Sequence, residues 1–342
     1  MRIAIVNDIP IAVEILKRVV MSDFENIISW VAMDGRQAVE KCAVDIPEVI
    51  LMDLIMPVMN GVEATDKIMT DSPCPILVVT ATVDGNQSKV FEAMGKGALD
   101  VVETPVFKSN GRIFGGDKLL FKINNIKKLS RKIDTEIFKN KNVRKERKDA
   151  HHKLPNLILI GASTGGPKAL LEILTGLEHN IDAAIIIVQH INSKFAKGLI
   201  EWLNSQSPLD VIKIENGMQV ENRKVYVAAT DNHMVIGTDL KLAYTDSFSN
   251  ISYRPSVDVF FKSIAVNWPH KSIAILLTGM GNDGAQGLKF LSECGWHTIA
   301  QDENSCIVFG MPKSAINLGA AKEVLDINFI AKRINSYLKE NK

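Results

Sequence analysis

At 342 residues the chain is long enough for two domains, each able to bury its own core. Its hydrophobic share of 46% and charged share of 23% are ordinary for a soluble globular protein, and a formal net charge of +1 excludes bulk attraction to nucleic acid or membrane. The four cysteines, Cys42, Cys74, Cys294 and Cys306, have no C-x-x-C spacing, so they read as reduced thiols of a cytoplasmic protein rather than as a zinc or redox site. Near the N-terminus an apolar stretch over 3–6 is interrupted by Asn7 and Asp8. It is too short for a signal peptide or a membrane span and reads as a buried first strand.

From there strands and helices alternate. Apolar residues at helical spacing predict a helix over 11–21, followed by a strand over 28–32, a turn at Asp34-Gly35 and a helix over 36–44. A third strand over 49–52 ends at Asp53, a helix follows over 61–70, and a fourth strand over 76–79 ends at Thr80. A helix over 88–94, a strand over 98–102 and an amphipathic helix over 118–133 complete the first domain, residues 1–133. Strands alternating with helices predict a doubly wound, flavodoxin-like α/β domain whose parallel sheet is covered on both faces. Ligands of such sheets gather at the carboxyl ends of the strands.

Residues 134–153 are rich in Lys and Arg and poor in large apolar side chains, which predicts a solvated basic linker. No interleaved aromatic platform or DNA-reading motif lies beside it, so no nucleic-acid partner is expected. Residues 154–342 again read as α/β with a parallel sheet. A strand over 157–160 leads into a helix over 167–177 with Pro167 in its first turn, where the N–H groups lack partners anyway. A strand over 183–188 leads into Gln189-His190, and a helix follows over 195–204. Short strands and turns occupy 211–244, a helix 257–266, an apolar strand 273–277 and a helix 285–293.

In the first domain Asp8 follows the first strand, Asp53 ends the third and Thr80 the fourth. In a parallel sheet these ends are neighbours. Two converging carboxylates suit Mg²⁺, which takes oxygen ligands and keeps several waters. They would let Asp53 accept a phosphoryl group as an acyl phosphate, with the Thr80 hydroxyl bonding a phosphate oxygen. The bland alternative is a set of strand-end caps. Met52-Asp53-Leu54-Ile55-Met56-Pro57 with Asn60-Gly61, together with Gly97-Ala98-Leu99-Asp100 and Pro105, resembles bacterial response-regulator receiver domains. The resemblance implies that Asp53 is the phosphoacceptor, Asp8 a metal ligand and Thr80 the switch hydroxyl, with a histidine kinase as phosphodonor. Two positions depart from that pattern. Asn7 stands where an acidic residue is usual, and Thr104 where a lysine precedes the proline.

In the second domain Gly161-Ala162-Ser163-Thr164-Gly165-Gly166-Pro167 fits G-x-S-x-G between a strand and a helix. That pattern places a serine on a sharp turn above a sheet, with a helix N-terminus behind it to favour developing negative charge. A phosphate-cradling loop is the competing reading, but G-x-G-x-x-G and G-x-x-x-x-G-K-[ST] are both absent. A serine nucleophile needs a base and the base needs an orienting carboxylate. His190, at the end of the next strand, and Asp283, in the glycine-rich turn after the strand over 273–277, are the candidates.

These motifs, with Arg254-Pro-Ser-Val-Asp258, Leu277-Thr-Gly-Met-Gly-Asn-Asp-Gly284, Ala300-Gln-Asp-Glu303 and Gly310-Met-Pro312, resemble the catalytic domain of the chemotaxis protein-glutamate methylesterases, the CheB family. The segment 228–233 departs from that family's usual proline- and glycine-bearing sequence. The resemblance implies a Ser163–His190–Asp283 triad, an oxyanion donor at the Met280 backbone N–H, and no cofactor for the esterase. It also implies hydrolysis of glutamate γ-methyl esters, and deamidation of glutamines, on methyl-accepting chemoreceptors, by a monomer. Ile5-Val-Asn-Asp-Ile-Pro10 and Thr104-Pro105 further resemble a subgroup serving chemosensory systems with outputs other than flagellar motors. The expectation from a different class is a non-catalytic receptor-binding signalling adaptor.

Overall fold

The computed structural model describes residues 1–81, 87–107, 113–129, 154–247 and 253–341. The chain divides into two compact units, Met1–Glu136 and Ile137–Lys342. The basic segment over 134–153 lies outside the described residues, as do 130–133 of the amphipathic helix.

The first unit runs β1 (Arg2–Val6), α1 (Pro10–Met21), β2 (Ile27–Ala32), α2 (Gly35–Val44), β3 (Val49–Met52), α3 (Gly61–Asp71), β4 (Ile76–Thr80), α4 (Gln87–Gly95), β5 (Asp100–Glu103), β6 (Val106–Phe107), β7 (Ile113–Phe114) and α5 (Gly116–Leu129). Five strands form a parallel sheet in the order β2-β1-β3-β4-β5. Strands β1, β3 and β4 are almost wholly buried, as a sheet covered on both faces requires. The order reverses at β1, so the residues just after β1 and β3 sit side by side above the sheet. The fifth strand starts at Asp100 rather than at residue 98. Gly97 and Ala98 instead close α4, donating their N–H groups to Met94 and Ala93. The short antiparallel β6–β7 pair was not foreseen, because two-residue strands carry no periodicity.

The second unit runs β8 (Asn156–Ala162), α6 (Gly166–Gly176), β9 (Ala183–Gln189), α7 (Ser193–Gln206), β10 (Asp210–Lys213), β11 (Met218–Gln219), β12 (Lys224–Val227), β13 (His233–Ile236), β14 (Lys241–Thr245), α8 (Val257–Asn267), β15 (Ile273–Leu276), α9 (Ala285–Glu293), β16 (His297–Gln301), α10 (Met311–Asn317), β17 (Glu323–Leu325) and α11 (Ile327–Glu340). Seven strands form a parallel sheet in the order β10-β12-β9-β8-β15-β16-β17. The order reverses at β8, whose carboxyl end lies between those of β9 and β15. A three-stranded antiparallel sheet, β11-β14-β13, packs against α8 through β13. The apolar strands β8, β9 and β15 anchor a core completed by Phe260, Phe261, Leu288 and Trp296.

Among the described residues no helix is long and apolar enough to cross a membrane. All four cysteines are free, and the buried Cys42 and Cys74 sulfurs lie 3.8 Å apart.

Candidate active site

In the first unit the structure brings Asp8, Asp53 and Thr80 to one end of the sheet, after β1, β3 and β4. Asp53 is buried, and its Oδ1 accepts the N–H of Leu54 at 2.7 Å. Its Oδ2 accepts from the Asn7 amide at 2.9 Å, so the residue that replaces the usual acid is a neutral donor to the phosphoacceptor candidate. Burial pushes the Asp53 carboxyl up to about 6, the Leu54 and Ile55 N–H groups oppose this, and the Asp8 charge adds to it. A buried oxygen of Asp8, Oδ1, has no hydrogen-bond partner. An unpartnered buried carboxylate oxygen beside a second carboxylate fits a hard divalent ion with few protein ligands. Thr80 is buried, and its carbonyl accepts the Thr104 N–H at 3.0 Å. The Thr104 hydroxyl is itself a buried group without a partner.

In the second unit the three candidates come from three neighbouring strand ends. Ser163 follows β8. Its N–H donates to Thr278 at 3.1 Å and its carbonyl accepts from Gly166 at 2.8 Å, which closes a tight turn at the start of α6. The turn fits only because Gly279 has no side chain. A Cβ there would lie 2.7 Å from Ser163 Cβ and would run into the Met311 sulfur. Pairing of Ala162 with Gln189 sets His190 beside Ser163 across β8 and β9. The buried Gln189 amide nitrogen ties the two backbones together, donating to the Ser163 carbonyl at 2.8 Å and the His190 carbonyl at 3.2 Å.

His190 Nε2 lies 2.8 Å from Asp283 Oδ2. Its other ring nitrogen, Nδ1, is buried and without a hydrogen-bond partner. The ring stacks on Tyr253, with centroids 5.0 Å apart and planes 9° from parallel. This fixes the imidazole plane between a carboxylate and an aromatic face.

Asp283 is not an ordinary turn residue. It is buried and receives four donors: His190 Nε2, the Ser256 hydroxyl at 2.7 Å, and the N–H groups of Val257 at 2.6 Å and Asp258 at 3.1 Å. Val257 and Asp258 open α8, so their N–H groups lack helical partners and carry the positive end of the helix dipole. Burial acts to raise the Asp283 carboxyl, but the His190 hydrogen bond and charge, Ser256 and Val257 outweigh it and hold the group below its ordinary range. Met280 follows Gly279 beside the serine turn. Among the described residues no acceptor takes its N–H.

Sequence reasoning placed the three side chains but missed their supports. Tyr253 carries no signal of its own, while Gln189 and Ser256 stand in motifs that could be matched to a family without showing what they bond. The same holds for Thr278 and Gln301. Thr278 N–H donates to Gln301 Oε1 at 2.8 Å, and its hydroxyl donates to the Thr164 carbonyl at 3.0 Å while accepting the Val308 N–H at 2.9 Å. The loop after β16 is thereby fastened to the serine turn.

Asp258 is a further, half-buried acid here. Burial and the Asp283 charge push its carboxyl up to about 6. A carboxyl raised in the folded state costs stability wherever it is ionised, and costs nothing once both folded and unfolded forms are protonated. Asp258→Asn should therefore raise the unfolding temperature of this unit at pH 7.5, with the gain shrinking as pH falls through 6 and vanishing below 3.8. Thermal melts across that range check it.

The family model described as CheB methylesterase matches residues 158–334, and that of the response regulator receiver domain matches residues 3–111. A protein-glutamate methylesterase/protein-glutamine glutaminase of Bordetella avium is 46% identical over 334 residues, 98% of this chain and 96% of the relative. One from Mesorhizobium japonicum is 44% identical over 98% of each chain. The crystal structure of the Thermotoga maritima CheB methylesterase catalytic domain matches with a TM-score of 0.50 and 37% identity, covering 53% of this chain and 98% of that one. The chain belongs to the CheB methylesterase family, as a response regulator whose receiver domain precedes an ester-hydrolase domain.

Proposed function

We propose that Ser163, His190 and Asp283 hydrolyse glutamate γ-methyl esters on a methyl-accepting chemoreceptor and deamidate its glutamines. The observation that carries this is Asp283, which takes four donors and binds His190 through Nε2, leaving Nδ1 as the free base beside the serine turn. Ser163 Oγ attacks the ester carbonyl as Nδ1 takes its proton. The carbonyl oxygen becomes an oxyanion, for which the Met280 N–H is the donor. Removing one such donor typically costs about 3–4 kcal/mol of transition-state stabilisation. The imidazolium, steadied by Asp283, returns the proton to the departing methoxide, and methanol leaves. Water then attacks the acyl-serine by the same route, giving a glutamate carboxylate and free Ser163. An amide presents the same carbonyl, so ammonia leaves in the same way from glutamine.

In the receiver, Asp53 is the phosphoacceptor for a histidine kinase, with Asp8 and Asp53 holding Mg²⁺ and Thr80 as the switch hydroxyl. Bound there, Mg²⁺ supplies positive charge against the two carboxylates and the phosphoryl oxygens. Asn7 keeps Asp53 oriented without adding a third negative charge. Phosphorylation controls the esterase by favouring its active population, which requires that the phosphoryl group bind the two states differently. The protein works in the cytoplasm as a monomer.

The test is methanol release from a methylated receptor, with and without acetyl phosphate. Release by wild type that rises with the donor is expected. Asp53→Asn should keep basal release, lose the rise, and take up no phosphoryl group by intact mass. Absence of release from folded protein and cognate receptor would leave the adaptor, and an unchanged rate in phosphorylated wild type would remove the gating.

A further inference from the structure

The triad carboxylate is held by a second acid that the mechanism does not use. Asp283 stands immediately before Gly284, the residue that caps α9, yet its carboxylate reaches across to the first N–H groups of α8, those of Val257 and Asp258. Asp258, in the first turn of α8, reaches the other way. Its Oδ1 accepts the N–H of Gly287, in the first turn of α9, at 2.6 Å, and the Gly284 N–H adds to this. Each acid thus satisfies donors at the start of the helix beside which the other stands. The two helices approach too closely for a side chain at the crossing. A Cβ on Gly287 would lie 2.7 Å from Phe261 Cβ and 3.1 Å from the Asp258 backbone.

We propose that Asp258 is a positioning residue of the esterase: with Asp283 it forms a reciprocal clamp between α8 and α9 that fixes the carboxylate orienting His190. This rests on the triad reading above. Asp258 touches neither His190 nor the serine turn through any hydrogen bond among the described residues, so it acts through Asp283 alone. Without its acceptor, the α9 N-terminus is free to shift, and Asp283, one residue before it, shifts too. A displacement of about 1 Å at a catalytic group costs on the order of 100-fold in rate.

The experiment uses the full chain and a methylated receptor, with melts to show folding. Asp258→Ala should lower kcat by about 10- to 100-fold with KM unchanged. Asp258→Asn should recover most of that loss, because its carbonyl still accepts the Gly287 N–H. Asp258→Glu keeps the charge but overshoots the donor, so it should fall below Asp258→Asn; it also serves if the alanine variant does not fold. The low-field proton signal of the His190 imidazole N–H should move or broaden in the alanine and glutamate variants and not in Asp258→Asn. Asp283→Ala separates the two readings. If it remains fully active, the triad reading falls. If it is inactive while folded Asp258→Ala and Asp258→Glu keep wild-type kcat and an unmoved imidazole proton, the clamp alone is overturned.

Discussion

Ser163→Ala is expected to lower kcat for methanol release by about 10⁶, the loss seen when the nucleophile of a serine triad is removed. Nothing else should change. The serine is half-buried, and the contacts that shape its turn are made by its backbone: the N–H to Thr278, and the carbonyl to Gly166 and the Gln189 amide. Alanine keeps all three, so the melting temperature and the affinity for receptor should match wild type. Acetyl phosphate should still modify Asp53 in this variant, yet release no methanol. The result separates hydrolysis from recruitment. A catalytic regulator loses methanol release and keeps binding, whereas an adaptor has no release to lose. A variant that retained more than a hundredth of the wild-type rate would show that Ser163 is not the nucleophile.

How much of this was legible beforehand depended on how local each signal is. Buried parallel strands are continuous apolar runs, so Val49–Met52 and Ile273–Leu276 could be located to within a residue. The G-x-S-x-G turn at Ser163 is a local motif set by backbone geometry. Asp53 and His190 were visible because each directly follows such a strand, and Asp283 because it lies in the glycine-rich turn after one. What stayed hidden is what acts across the fold. Ser256 is 27 residues from the carboxylate it bonds, and Asp258 and Gly287 are 29 apart. The motif Arg254-Pro-Ser-Val-Asp258 could be matched to the family without showing that its purpose is to seat Asp283. The region after Glu293 yielded motifs but no assigned elements: β17 has three residues and α10 seven, too few for a period to emerge, whereas α11, with fourteen residues and buried Ile327, Ile330, Ala331, Ile334 and Leu338 at helical spacing, was legible and was missed.

Asp283→Asn should cost about 10⁴ in kcat, less than loss of the nucleophile, and for a reason that a change of one atom does not suggest. Four donors converge on two carboxylate oxygens. An asparagine offers one oxygen and one NH₂ group, so at least one donor now faces a donor. If the NH₂ takes the place of Oδ2, it faces both His190 and the Val257 N–H: the Val257 N–H loses its acceptor, Nε2 must become the acceptor, and the ring proton moves to Nδ1. The nitrogen that should take the Ser163 proton is then already protonated. If it takes the place of Oδ1 instead, it faces the Ser256 hydroxyl, which can turn to accept, and the Asp258 N–H, which is left without an acceptor at a cost of about 1–3 kcal/mol of stability. The first outcome lowers kcat by about 10⁴, as for a triad aspartate replaced by asparagine. Both lower the melting temperature, through Val257 in the first and Asp258 in the second. Because the Asp283 carboxyl is held below its ordinary value, the wild-type advantage in stability is complete above pH 3.8 and is lost only as the pH falls further. Steady-state methanol release together with melts between pH 3 and 8 measures both. A folded Asp283→Asn with kcat within tenfold of wild type would show that the carboxylate seats helix α8 but does not set the imidazole tautomer. His190 would then owe its orientation to Tyr253 and the Gln189 amide.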